Sequence, residues 1–270
     1  MLAAELPHAL EGLEAIRRTA GERRLAFFLD YDGTLTPIVQ NPDEAVISAH
    51  TREVLRRVCD SYSVSIVSGR SCEKLYDFLQ LELNLAGSHG LDIRSPHGKR
   101  MLHPIGAKVR HALLEAKAQL DRELDDVPGY LTEDNVFCIS AHYRRVPVEM
   151  HDRVHDTVMA LLGGQSLLQH KSGKMVHELR PAVDWDKGKA VEWLLRERVQ
   201  RQDEQVCPIY IGDDVSDEDA FKFVTSVGGI AVKVVEVAQL STTKTSASHR
   251  VDDPCQVFAF LRAFLEQEAL

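Results

Sequence analysis

Short apolar runs, each stopped by a polar residue or glycine, alternate along this chain with stretches whose hydrophobic residues fall at helical spacing, and this alternation constrains the fold most strongly. Leu25-Ala26-Phe27-Phe28-Leu29 is followed at once by Asp30, Val64 to Val67 by Ser68-Gly69-Arg70, and Ile209-Tyr210-Ile211 by Gly212-Asp213-Asp214. Leu83 to Gly87 and Ile230-Ala231-Val232 read the same way. Strands covered on both faces carry such runs, and strands of that kind belong to parallel sheets. Between them, Val54, Leu55 and Val58 predict a helix from Thr51 to about Tyr62, and Leu75, Phe78 and Leu79 predict another. Leu6, Leu10, Leu13 and Ile16 predict an opening helix closed by Gly21, and Pro254 opens a last one with Val257, Phe258, Leu261 and Leu265. The alternation predicts an α/β fold built on a doubly wound parallel sheet.

The middle of the chain has a different pattern. Val109, Leu113, Ala116 and Leu120 predict one long helix, and Val154 to Leu162 predicts a second. Val136 to Arg144 and Lys174 to Arg180 alternate with period two, as antiparallel strands with one open face do. Phe137, Ile139, Ala141 and Tyr143 share one face of the first strand, leaving Ser140, His142 and Arg144 on the other. In the second, Met175 and Leu179 share a face, leaving Lys174, Glu178 and Arg180 opposite. The expectation is an α+β domain over 105–182, inserted into a core formed by 1–104 and 183–270, with a polar, mostly basic sheet face turned outward. Such an insert overhangs the carboxyl ends of the core strands, where ligands bind.

The 270 residues carry 32 Lys+Arg against 41 Asp+Glu, a formal charge of −9, which argues against a nucleic-acid or anionic-membrane partner. No apolar run approaches the ~20 residues of a membrane-spanning helix. The N-terminal MLAAELPHALEGLE has no basic start or continuous apolar stretch, so no signal peptide is expected. Five scattered cysteines without a CxxC pair predict free thiols and a cytoplasmic protein.

Four motifs carry chemistry. Asp30-Tyr31-Asp32-Gly33-Thr34 places two carboxylates just beyond a buried strand, although alone it reads equally well as an Asx turn. Ser68-Gly69-Arg70 offers a hydroxyl and backbone N–H groups to a phosphate oxygen, or is a plain helix cap. Asp186-Lys187-Gly188-Lys189 puts a lysine at a helix start, and Gly212-Asp213-Asp214-Val215-Ser216-Asp217 clusters acids after another strand. Two like charges 4 Å apart repel by ~4 kcal/mol at an effective dielectric of about 20, so Asp30, Asp213 and Asp217 at adjacent strand ends call for a bound dication. Oxygen-only ligands favour Mg²⁺ over zinc.

In this order the motifs resemble the haloacid dehalogenase-type (HAD) phosphatase superfamily, with its Rossmann-like core and inserted cap. LDYDGTLTPIV, the VSGR at 67–70, GSHG at 87–90, Lys174 to Pro181, DWDKGKA at 184–190 and GDDVSDEDAF at 212–221 are similar to its trehalose-6-phosphate phosphatase branch. The resemblance implies hydrolysis of trehalose 6-phosphate, with Asp30 as the nucleophile forming an aspartyl phosphate and Asp32 as acid and then base. It implies Mg²⁺ held by Asp30, the Asp32 carbonyl and Asp213, supported by Asp214 and Asp217, and phosphoryl oxygens held by Ser68 and Lys187. Gly69, Arg70, His89, His142, Arg144, Lys174, Glu178 and Arg180 are then expected at the substrate, and functional pairing with a trehalose-phosphate synthase is implied as well. The rivals are a related sugar-phosphate phosphatase, a catalytically silent regulatory domain and a phosphoryl-transferring mutase.

Other signals lead elsewhere. His151 and His155, at helical i, i+4 spacing, resemble half of a zinc helix, but no third ligand is evident and a solvated helix face is expected. Gly98-Lys99 and Gly188-Lys189 lack the earlier glycine of a P-loop. Trp185 and Trp193 are expected to pack rather than to stack on a ligand.

Overall fold

The computed structural model describes residues 1–96, 98–202 and 205–266. In chain order the helices and strands are α1 (Leu13–Ala20), β1 (Arg24–Leu29), α2 (Ala49–Ser61), β2 (Ser63–Val67), α3 (Cys72–Leu79), β3 (Asn84–Gly87), β4 (Asp92–Arg94), β5 (Arg100–Leu102) and α4 (Pro104–Glu123). They continue as β6 (Leu131–Asp134), β7 (Ile139–His142), α5 (His151–Gly163), β8 (Leu168–Gly173), β9 (Val176–Pro181), α6 (Lys187–Gln202), β10 (Val206–Gly212), α7 (Glu218–Ser226), β11 (Ile230–Val234), β12 (His249–Val251) and α8 (Pro254–Leu265).

One sheet runs β12-β11-β10-β1-β2-β3-β4-β5, parallel from β12 to β3, with β4 and β5 added antiparallel at the edge. β1 lies centrally because both its faces are apolar. Phe27 and Leu29 pack against α1, α2, α3 and α8, whereas Ala26 and Phe28 pack against α6 and α7. Phe27 also meets Tyr62 and Phe264 edge-on, at centroid distances of 5.4 and 5.6 Å.

A second, four-stranded sheet runs β6-β7-β9-β8, antiparallel throughout, with an apolar cluster of its own among its strands, α4 and α5. The expected long helix is present, and Val109, Leu113, Ala116 and Leu120 are all buried.

Several elements differ from the sequence expectation for local reasons. The opening helix begins at Leu13. Pro7 restricts the preceding residue, and Leu6 is extended, with φ −82° and ψ 139°. The 7–9 segment lies beside β12 instead, where Ala9 donates to the Arg250 carbonyl and Arg250 to that of Pro7. The first alternating strand begins at Ile139, following Val136 in the left-handed region (φ 67°). Met175 has φ 62° and lies outside β9, so the strand begins at Val176, and the buried face shared with Leu179 is carried by His177. β4, β5, β6, β8 and β12 are short and rich in polar residues and have no apolar run to announce them. Among the described residues no helix is long and apolar enough to cross a membrane.

Phe27→Ala should remove about 3–5 kcal/mol of stability, because the cavity opens at the centre of the sheet. Urea unfolding measures it, and a loss under about 1 kcal/mol would show that β1 is not the packing centre.

Candidate active site

The ends of β1 and β10 bring the acidic motifs together. The Asp30 N–H extends the ladder to the Ile211 carbonyl at 2.9 Å, fixing the backbone from which its buried carboxylate projects. The chain then turns back, with Leu35 N–H on the Tyr31 carbonyl at 2.9 Å and Gly33 N–H on the Thr36 carbonyl at 2.8 Å. Gly33 has φ 76°, and a Cβ there would lie 2.2 Å from Asp213 Oδ2. Only glycine permits this turn and this approach of the second acid. The buried Tyr31 hydroxyl anchors the loop by donating to the Ala45 carbonyl at 2.6 Å.

Lys187, the first residue of α6, lies in the middle of the cluster with 3% exposure. Its Nζ donates to Asp30 Oδ1 and Asp217 Oδ1, both at 2.8 Å. Asp217 also accepts from the Tyr210 hydroxyl at 2.7 Å and from Asp214 N–H at 2.8 Å. It is a buried counter-charge that also completes the capping box ahead of α7. Asp213 pairs with Lys174 of the second sheet.

Carboxylate oxygens of Asp30, Asp213 and Asp217 lie within 4.8 Å of one another. Burial pushes the Asp30 carboxyl well up, opposed by Lys187 and reinforced by Asp217 and Asp213. Burial likewise raises Asp213 to about 6, against the pull of Lys174. Burial would lower the Lys187 ammonium, but Asp217 and Asp30 outweigh it and hold it protonated. Asp217 differs, because burial would raise its carboxyl but Lys187 and Lys233 hold it below the usual range. A trio of buried oxygen donors, two of them with unfavourable ionised forms, fits a hard divalent cation, which reverses the sign of the repulsion. Asp214 is at the rim, where its backbone carbonyl accepts from Lys233 Nζ at 3.0 Å.

Asp32 points away from this trio. Arg70 grips it with two hydrogen bonds of 2.7 and 2.8 Å and also donates to the Pro42 carbonyl at 2.9 Å. The Arg70 guanidinium lies over the Phe78 and Tyr31 rings, 5.1 and 5.7 Å from their centroids. Ser68 follows β2, its Oγ accepting from Arg70 N–H at 3.3 Å and its carbonyl from His89 N–H at 2.8 Å. A Cβ on Gly69 would come within 2.8 Å of His89 Nε2, so the loop admits no larger residue unless that ring moves.

The polar face of the second sheet covers the cleft. It was expected to face outward, but Lys174 and Glu178 reach groups of the first unit, and Glu178 and Arg180 are largely buried. Glu178 accepts from Arg180 Nε at 3.0 Å and lies 3.1 Å from His89 Nε2. Burial would raise the Glu178 carboxyl, yet Arg180 and His89 hold it well below the usual range. Burial and then Arg180 push His89 down to about 4, leaving it neutral at pH 7. His142 lies 3.1 Å from Glu133, and Arg144 donates to the Lys174 carbonyl at 2.6 Å. Thus Asp30, Asp32, Ser68, Gly69, Arg70, His89, His142, Arg144, Lys174, Glu178, Lys187, Asp213 and Asp214 line one cleft of about 1030 Å³, solvent included. Asp217 is buried beneath it, and Arg180 reaches it through Glu178.

Two residues escaped the sequence reading. Glu133 accepts from Lys74 at 2.5 Å and lies 3.6 Å from Arg70; burial would raise its carboxyl, but the His142 hydrogen bond, Arg70 and Lys74 hold it down to about 2. Asn135 accepts from Ser71 N–H at 3.3 Å through Oδ1 and from the Ser88 hydroxyl through its backbone carbonyl. Both join the second sheet to the loops of the first. The only sequence signal was a polar Thr-Glu-Asp-Asn stretch between a helix and a strand. Trp185 packs against His103 at 4.8 Å, in line with the packing role expected of it.

A family model described as trehalose-phosphatase matches residues 28–255. A probable trehalose-phosphate phosphatase of Oryza sativa subsp. japonica is 40% identical over 280 residues, covering 95% of this chain and 72% of that protein. A trehalose 6-phosphate phosphatase of Zea mays is 38% identical over 270 residues, covering 95% of this chain and 74% of that protein. The C-terminal domain of the C. albicans trehalose-6-phosphate phosphatase superposes with a TM-score of 0.81 at 22% identity, over 97% of this chain and 98% of that one, which attests the fold. HAD-type phosphatases generally use a divalent metal. With a parallel α/β core, an acidic trio at its strand ends and this similarity across most of its length, the chain belongs to the trehalose-phosphatase family of HAD-like phosphatases.

Proposed function

We propose that the protein hydrolyses trehalose 6-phosphate to trehalose and inorganic phosphate, the last step of trehalose biosynthesis. The observation that carries this reading is the buried Asp30–Lys187–Asp217 cluster beside Asp213, roofed by a polar sheet face. Residues 1–104 and 183–270 form the catalytic core in this reading, and 105–182 the cap that selects the substrate. The separate sheets and apolar clusters support that division.

An Asp30 carboxylate oxygen attacks phosphorus, and the bond from phosphorus to the sugar oxygen breaks. The departing alkoxide is strongly basic, so it takes a proton from Asp32 as it leaves. Water then attacks the aspartyl phosphate, giving its proton to Asp32 and returning Asp30 as the carboxylate. Two hydrogen bonds from Arg70 occupy both oxygens of the Asp32 carboxylate. To act as acid it must leave Arg70 and carry a proton, which ties its role to movement of the loop and cap. Lys187 and Ser68 hold phosphoryl oxygens and offset charge that develops there. Asp30, the Asp32 carbonyl and Asp213, supported by Asp214 and Asp217, would hold a divalent cation, Mg²⁺ by donor chemistry, which supplies neutralisation of the phosphoryl charge.

Gly69, Arg70, His89, His142, Arg144, Lys174 and Glu178 provide the donors and acceptors for sugar hydroxyls, and Arg180 positions Glu178. The described cysteines are all free, which supports a cytoplasmic setting. Membership of this family supports a functional pairing with a trehalose-phosphate synthase that makes the substrate.

Phosphate release from a sugar-phosphate panel, with and without EDTA, tests the assignment. Turnover should be highest on trehalose 6-phosphate and should vanish with EDTA and return with Mg²⁺; preference for a glucose or sucrose phosphate would reject the substrate. Asp30→Asn should form no phosphoenzyme, whereas Asp32→Asn should slow turnover by ~100- to 10,000-fold while Mg²⁺ still binds. A variant at 32 that loses only metal affinity would remove the acid–base role. Glu178→Ala should impair trehalose 6-phosphate hydrolysis far more than that of a small aryl phosphate, and equal losses would place Glu178 outside sugar recognition.

A further inference from the structure

The sheet face that roofs the cleft changes character along its strands. Glu133 of β6 lies opposite Ser140 of β7, and Ser140 opposite Glu178 of β9, so these three side chains form one row across the face. Glu133 and Ser140 are buried, and Glu178 meets His89 of the first unit. The next row on the same face, about 6.8 Å along the strands, joins Leu131, His142 and Val176 by the same register. Leu131 lines the cleft yet is 43% exposed, and so does Ile38, 40% exposed, on the loop that follows the Asp30–Thr36 turn.

A charged residue stands with them. Gly129 turns the chain ahead of β6 with φ 80°, and a Cβ there would lie 2.2 Å from the Arg145 carbonyl, so Arg145 is packed against the turn that leads to Leu131. Arg145 lines the cleft and is exposed, and its guanidinium makes no hydrogen bond or ion pair among the described residues, whereas Arg144 donates to the Lys174 carbonyl. We propose that Ile38, Leu131 and Arg145 form the subsite for the second sugar ring, the one that bears no phosphate, and so select a disaccharide phosphate over a monosaccharide phosphate. This inference rests on the reading of the cleft as a sugar-phosphate site.

The two rows suit two linked rings. A ring whose phosphate reaches Asp30 lies at the buried end, where the polar row meets its hydroxyls, and the ring joined to it comes to the mouth. A pyranose is apolar on the faces formed by its C–H groups and polar around its edge. Ile38 from the core loop and Leu131 from the sheet cover such faces, and the forked N–H groups of Arg145 donate to neighbouring hydroxyls. Apolar side chains with a few placed donors are the usual lining of a small-molecule site. Covering the two exposed apolar side chains is favourable, and a monosaccharide phosphate, which ends before the mouth, forgoes that gain. The lack of a partner for Arg145 fits the same role. A guanidinium already held by a carboxylate must break that pair to take a ligand, whereas Arg145 gives up only water.

Phosphate release by the whole protein with Mg²⁺ from trehalose 6-phosphate, sucrose 6-phosphate and glucose 6-phosphate, compared as kcat/KM, tests the subsite. Arg145→Ala and Leu131→Ser should each lower the ratio of the best disaccharide phosphate to glucose 6-phosphate by about tenfold or more, with circular dichroism matching the parent. A ratio within about twofold of the wild type in either folded variant would overturn the proposal. Arg145 is exposed, so Arg145→Ala carries the test even if Leu131→Ser fails to fold. A wild type that prefers sucrose 6-phosphate would reject trehalose 6-phosphate as the substrate, and the subsite would stand if the ratio still falls in the variants. A wild type that prefers glucose 6-phosphate would overturn both.

Discussion

A single ammonium group, that of Lys187, makes the acidic end of the sheet possible. Three carboxylates within 4.8 Å, taken out of water, would not remain together by themselves. Lys187 bridges two of them and Lys174 pairs with the third, so each acid has a cation before any ligand arrives. The geometry traces back to sequence. Apolar β1 and β10 bury their ends side by side, Gly33 lets Asp213 approach, and α6 begins at the lysine itself. Breaking one partner of such a cluster leaves a buried uncompensated charge, which costs more than the intact pair contributes.

The two sheets are connected through the same electrostatics. Arg70 faces Asp32 on one side and Glu133 on the other, while Lys174 reaches from the second sheet to Asp213. A carboxylate of the loop after β1 and a glutamate of β6 therefore share one guanidinium. Arg70 and Lys174 thus tie the second sheet to the loops that carry the acids.

Much of this was legible in the residues themselves. Phe27 and Phe28 face opposite helical layers because the β1 run is apolar on both sides, and the four chemical motifs each follow or open the element expected of them. What stayed hidden was long-range pairing of polar residues. Glu133 meets Lys74 and Asn135 meets Ser71 across 59 and 64 positions, and neither carries an apolar period to betray it. The direction of the polar cap face was hidden for the same reason, since Glu178 looks like a solvated residue until His89 is placed beside it. Pro7, Val136 and Met175 shifted element boundaries through backbone geometry rather than hydrophobicity.

The central claim is that the end of β1 is where phosphorus is attacked, beside a divalent cation held by the acidic trio. A crystal structure grown with Mg²⁺ and beryllium fluoride, which mimics an acyl phosphate, tests it most directly. The account predicts beryllium bonded to an Asp30 carboxylate oxygen, with the magnesium ion against Asp30 and Asp213 and Lys187 on the fluorides. Beryllium fluoride on another side chain, or magnesium remote from Asp213, would contradict it.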